Sequence, residues 1–359
     1  MTNRLWLTQS AGAPMRRNLG VLDKNAGELL ENAEAKVWYE RLAHRSDRGE
    51  IGSVHGSHDY RMENILGKCW ILGFSKNHTG FDRNMGFILR FLEEHIKAEP
   101  PSDMSFAKIY HYRDYEKVLC CFLPFLGYKT EPAVARIVRK RIDILYGFTR
   151  TKRYDIYADG SLMKGVKKEW KTFMIDPDLY SDGNIALPDM HDYLLLAGSL
   201  PSLTAEETEK AENIAEWLFD ERYKGIFRRY GYFYAPGGAY NAKAVIFKLR
   251  LLDFNEGEPD GDDLKPHLFN TFVLSHFKAA RKSEWFNKSI DFLGRYKNGS
   301  GRYDFPPRLI TEKPDGFVIF GGHMNAGEDR KSKLYGEILS TYWMERILDN
   351  MKPMVKKND

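Results

Sequence analysis

Three carboxylic acids fall within four positions at Asp260, Asp262 and Asp263, in the acidic stretch Asn255-Glu256-Gly257-Glu258-Pro259-Asp260-Gly261-Asp262-Asp263. Crowded carboxyl groups in a water-poor site cannot all ionise, because like charge and desolvation both raise the pKa of one member, and the group then titrates collectively. A carboxyl kept protonated in this way is a proton donor. The same stretch also reads as an acidic surface turn ahead of a proline-started helix. A second group of residues recurs as a triplet of basic residue, Asp and Tyr: His58-Asp59-Tyr60, Arg113-Asp114-Tyr115 and His191-Asp192-Tyr193. Looser copies are Gly238-Ala239-Tyr240, followed by Asn241, and Lys333-Leu334-Tyr335. His, Asp, Tyr and Arg side chains move protons and bind polar substrate groups. Asp at a helix start has a structural use as well, since its carboxylate accepts orphan amide hydrogens and meets the positive end of the dipole.

Metal chemistry has no comparable signal. Cys69, Cys120 and Cys121 show no Cys-x-x-Cys or Cys/His spacing of the kind zinc uses. Three cysteines make no disulfide framework and read as buried thiols in a reducing cytoplasm. No cofactor is expected, and Mg²⁺ only if a diphosphate substrate brings it. The glycine pairs Gly237-Gly238 and Gly321-Gly322-His323 are weak phosphate signals, without a following Lys or Thr.

The elements that must position these groups read as helices. Apolar residues recur at helical spacing, and alternating runs bounded by turn signals are almost absent. The pattern predicts helices over Ala26 to His44, Asp59 to Phe74, Arg83 to Ile96, Phe106 to Phe125, Pro132 to Gly147, Asp192 to Leu200, Ala205 to Tyr223, Tyr240 to Phe254, Lys265 to Ala280, Glu284 to Tyr296 and Leu334 to Met351. Some are apolar nearly all round, as in Ile65 to Leu72, Val118 to Leu123 and Leu194 to Leu200. Others are striped with a charged face, as in Phe87 to Glu94. A helix apolar on every side has to be surrounded, whereas a striped one can face water. Alternation of the two kinds predicts an all-α fold, an α/α toroid with inner and outer rings of helices. In a toroid the inner helices run the same way, so the triplets at their starts would surround one mouth. Two long insertions interrupt the rhythm, Phe148 to Pro188 and Gly299 to Lys333. The second holds His323, Glu328, Asp329 and Arg330 among glycines, the kind of loop that carries function.

The chain has 359 residues, with 43% apolar and 29% charged, and a formal charge of +4. This composition excludes a disordered or fibrous protein, and the small surplus of base gives no reason to expect nucleic acid as a partner. Aromatic residues reach 14%, enough rings for an aromatic core or a lined cavity. No apolar stretch is long enough for a signal peptide or a spanning helix. The organisation expected is an N-terminal extension with the first outer helix over 1–50, a toroid domain over 51–350 and a tail over 351–359. The location expected is cytoplasmic, with room for peripheral membrane contact.

The inner helix, short turn, outer helix and glycine-aromatic loop units resemble the terpenoid cyclase and protein prenyltransferase α/α-toroid superfamily. Phe125-Leu126-Gly127-Tyr128-Lys129-Thr130-Glu131-Pro132 and Asn298-Gly299-Ser300-Gly301-Arg302-Tyr303 carry the likeness. Asp260-Gly261-Asp262-Asp263 resembles the Asp-x-Asp-Asp motif of proton-initiated terpene cyclases. The resemblance implies Asp262 as donor to an isoprenoid alkene or epoxide, Asp260 and Asp263 in support, and aromatic faces steering the cation. It implies an apolar small-molecule substrate, and a second barrel or a second copy of the chain as partner. Two other classes remain open. One is a carbohydrate-active enzyme on an (α/α) barrel, using the rim residues His58, Asp59, Tyr60, Arg113, His191, Asp192 and Tyr193 in an open, polar cleft. The other is a non-catalytic toroid that binds lipid or protein. For either enzyme, Tyr115, Tyr240, Asn241 and Tyr335 complete the expected substrate mouth.

Overall fold

The computed structural model describes residues 1–20, 27–98, 106–226, 229–235, 241–244, 248–254 and 261–352. These residues are mostly helical, with two small antiparallel sheets of two strands each. They divide into two units, Met1–Asn84 with Leu251–Asp359, and Met85–Arg250.

In the first unit the Met62–Ile71 helix is buried at every position, including Glu63, Asn64 and Lys68. Its near-continuous apolar sequence leaves no face for water. The Ala33–Arg48 helix packs beside it and is striped, burying Ala35, Trp38 and Leu42. Asn32 starts that helix by accepting the Ala35 amide, and Gly49 ends it in the left-handed region at φ 61°. The His267–Leu274 helix is also wholly buried and packs on the Tyr335–Met351 helix. Trp70, Phe269, Phe272 and Trp343 meet there edge to face, with the Arg346 guanidinium 4.6 Å from the Phe272 ring centre.

In the second unit the Met190–Ser199 helix has the central place, every residue buried. Helices Phe106–Cys120 and Pro132–Thr149 pack on it, and Ala205–Glu216 packs on the latter. A capping box starts the central helix, with Asp189 accepting from His191 and Asp192 while Asp192 accepts the Asp189 amide. Gly198 lets Pro124 and Phe125 come close; a Cβ there would meet both at 2.9 Å.

Several local expectations change. Arg113-Asp114-Tyr115 does not open a helix but lies inside Phe106–Cys120. Asp59 does not cap one either: the helix starts at Met62, after a loop. The helix expected over Tyr240 to Phe254 is not formed in its described part. Ala242–Ala244 instead pairs antiparallel with Tyr232–Tyr234. Its register is set from outside: Ala242 packs in a small cluster with Val166 and Met174, and the Asn241 amide bonds to Gly165 O. Tertiary partners here override a local helical pattern. The insertion 148–188 holds short 3₁₀ turns and a hairpin, Tyr180–Ser181 with Asn184–Ile185. Asp182 and Gly183 turn it with φ 45° and 73°, the left-handed pair such a two-residue turn requires.

Candidate functional site

An open cleft of about 620 Å³ lies in the first unit, lined by Glu34, Trp38, Asp59, Glu312, His323 and Glu328 among others. Behind the lining residues Glu34 and Glu312 lies the ammonium of Lys68, fully buried on its helix. Lys68 Nζ stands 2.9 Å from Glu34 Oε1, 2.9 Å from Glu312 Oε2 and 2.6 Å from Asn325 O. Burial works against charge on Glu312, but Lys68 and the hydrogen bond to His323 outweigh it and hold the carboxyl at about 2.

His323 lies opposite Glu312 in an isolated antiparallel bridge. Its Nδ1 is 3.0 Å from Glu312 Oε1, and its Nε2 is 2.7 Å from Gly316 O and 3.6 Å from Asp59 Oδ1. Both ring nitrogens face oxygen atoms, which fixes the orientation of the ring. The edge of the ring meets Trp38, centroids 5.4 Å apart, and the face of Trp38 carries the Arg41 guanidinium at 4.3 Å. Arg41 in turn bonds Asp59 Oδ2 at 3.0 Å.

Asn325 aims the remaining groups. Its amide bonds Glu312 at 2.7 Å, its Nδ2 bonds Glu34 at 2.6 Å, and its Oδ1 accepts the Glu328 amide at 3.0 Å. The turn it closes needs Gly327, at φ 83°, where a Cβ would meet Pro14 at 2.6 Å. Glu328 comes out half-buried. Burial first, then the neighbouring Asp329, pushes its carboxyl up, against the amides of Gly12 and Asp329. The cleft therefore holds one carboxyl raised by burial, Glu328, and one lowered by its partners, Glu312.

Of the expected mouth residues, the first unit holds His58, Asp59, Tyr60 and Tyr335. Asp59 lines the cleft. Tyr335 is the first residue of its helix; burial raises its hydroxyl to about 12, with Glu312 adding to the effect. The second unit holds Arg113, Tyr115, His191, Asp192, Tyr193 and Asn241. Arg113 pairs with Glu116 at 2.8 Å, and Tyr115 is exposed. His191, Asp192 and Tyr193 are buried, and Asn241 donates to Lys164 O at 3.1 Å. Asp192 takes both arms of Arg141, at 2.8 and 3.0 Å. Lys117 lies 2.5 Å from Asp189 and 3.2 Å from Asp114. Burial disfavours the Lys117 charge, yet these partners raise it well above the ordinary lysine range. The gap among these groups is about 20 Å³, room for about one water molecule. This is a buried, charge-balanced brace for the central helix.

Tyr240, Asp260 and the pair Gly237-Gly238 lie outside the described residues. Asp262 belongs to the helical turn Gly261–Leu264, its side chain outside the description, and Asp263 follows there, half-buried. Glu34, Trp38, Arg41, Lys68 and Glu312 carried no signal in the chain; Asp59 and the glycine-rich loop to Lys333 did point to the cleft. Comparison with family models, with curated proteins and with solved structures finds no match for this chain.

Proposed function

We propose that the chain is a carbohydrate-active enzyme of the glycoside hydrolase type on an α/α-toroid scaffold, working in the cleft around Glu312 and His323. The observation that carries this reading is that two carboxyl groups, Glu328 and the Arg41-bound Asp59, line one open cleft whose lining residues are mostly charged or polar. Alternation of wholly buried and striped helices within each unit supports the toroid.

In this reading Glu328 gives its proton to the glycosidic oxygen as the bond from the anomeric carbon to that oxygen breaks. Water adds to the anomeric carbon and loses a proton to Asp59. Arg41 and the Asp315 amide, at 3.0 and 3.4 Å, orient the Asp59 carboxylate. His323, held between Glu312 and Gly316 O, places its Nε2 3.6 Å from the same carboxylate. Lys68 keeps Glu312 ionised beneath. Reducing-end release from a panel of polysaccharides tests the reading. Wild type should cleave one class, with Glu328→Gln and Asp59→Asn each at least about a hundredfold slower and folded. Equal rates for all three proteins would refute these roles.

One observation favours a second reading, the terpenoid-cyclase-like chemistry. The turn bearing Asp262 and Asp263 leads into a helix whose first residue, His267, is boxed by Phe254, Trp285 and Phe292. Aromatic rings close to an acid motif suit a cationic intermediate. Turnover of a polyprenyl epoxide by wild type, lost in Asp262→Asn, would carry that reading instead.

A further inference from the structure

We propose that the exposed His58 and Tyr60 rings form a sugar-stacking subsite that extends the cleft, an inference that rests on the glycosidase reading above. The two rings are nearly parallel, 11° apart with centroids at 5.2 Å. Tyr60 is 51% exposed, where a tyrosine that served only packing would be covered. Arg61 lies over the same ring at 5.0 Å.

This platform is built rather than incidental. Asn64, from the buried helix, donates to Gly56 O and His58 O at 3.0 Å each and so pins the loop. His58 Nδ1 meets Asp315 Oδ1 at 2.5 Å, and the Asp315 amide bonds Asp59. Asp315 stands at φ 58°, a left-handed conformation that a non-glycine residue adopts at a cost and that these partners maintain. Asp59, between the two rings in sequence, lines the cleft, and so does Pro314, next to Asp315. One frame thus holds the cleft carboxylate and the ring pair together.

A pyranose ring fits this chemistry. Its C–H face would stack on the open part of the Tyr60 ring, and Arg61, over that ring, and Asp315, bonded to His58, are the polar groups its hydroxyls would meet. An isoprenoid chain would need enclosed apolar walls, which a half-exposed pair among charged groups does not supply.

The test is an array of neutral, amino and uronic oligosaccharides of two to six units, probed with labelled wild type, Tyr60→Ala, Tyr60→Phe and Glu328→Gln, each checked for folding by circular dichroism. Wild type should bind one class. Tyr60→Ala should bind it about tenfold more weakly, and more so for longer chains, while Tyr60→Phe keeps the affinity. Glu328→Gln should bind yet not cleave. Unchanged binding by Tyr60→Ala, or equal loss in Tyr60→Phe, overturns the stacking subsite and leaves the cleft reading standing. A wild type that neither binds nor cleaves any glycan overturns both.

Discussion

His267 offers a measurement that reads burial directly. The residue is 1% exposed and neither ring nitrogen has a hydrogen-bond partner among the described residues. Phe254, Trp285 and Phe292 surround it, ring centroids 5.5 to 5.8 Å away and all nearly perpendicular. Burial lowers its pKa from 6.5 to about 3. A histidine lowered on folding binds fewer protons in the native state, so its contribution is fully present above the unfolded value and is lost as pH falls from there toward 3. The slope is about 1.4 kcal/mol per pH unit, so cooling nothing and changing only pH from about 7.5 to about 5 should remove roughly 2 kcal/mol through this one residue. His267→Phe keeps an aromatic ring of similar size and deletes the titration. It also removes two unsatisfied polar atoms, a gain of about 1 kcal/mol or more at neutral pH. Urea unfolding at both pH values, followed by tryptophan fluorescence, gives the four free energies needed. The variant should lose roughly 2 kcal/mol less than wild type on acidification. His276, also lowered to about 3 by burial with Arg346 and Arg281 adding, continues to titrate in both proteins and cancels in the comparison. An equal acid loss in the two proteins would refute the assignment, as would a neutral-pH destabilisation above about 2 kcal/mol, which would mean that the imidazole has a partner.

Two further outcomes test the charge networks. Lys68→Met leaves Glu34 and Glu312 facing each other without their cation and should cost about 3 to 5 kcal/mol by urea unfolding at neutral pH, with the loss shrinking in acid as Glu312 becomes protonated. Arg141→Lys replaces the two-armed bond to Asp192 with a point charge and loses the contact to Ile185 O; a loss of about 2 kcal/mol or more is expected, measured the same way.

The helices were legible because each carries its environment in its own letters. Ile65 to Ile71, apart from Lys68, and Leu194 to Ser199 are apolar or small nearly all round, and both segments lie in buried helices. Helix ends were less legible. The His58-Asp59-Tyr60 and Arg113-Asp114-Tyr115 triplets look alike in sequence, yet one lies in a loop before a helix and the other inside one. A short triplet states a capping preference, and the helix continues through Arg113 with Tyr110 buried before it and Glu116 to Cys120 buried after it. The strand at Ala242–Ala244 was hidden because Val166 and Met174, against which Ala242 packs, are distant in the chain.

What the sequence determined alone was the helical class, through residue spacing that any surrounding solvent reads in the same way. It also marked the glycine-rich loop to Lys333 as unusual. Tertiary structure alone decided the cleft. Glu34, Lys68, Glu312 and His323 come from three separate stretches, and no local pattern links them. Their properties arise from distance: a buried lysine holds two cleft carboxylates only when its helix presents it 2.9 Å from both. Coulomb interaction and desolvation depend on separation in space and on exclusion of water, and chain position specifies neither.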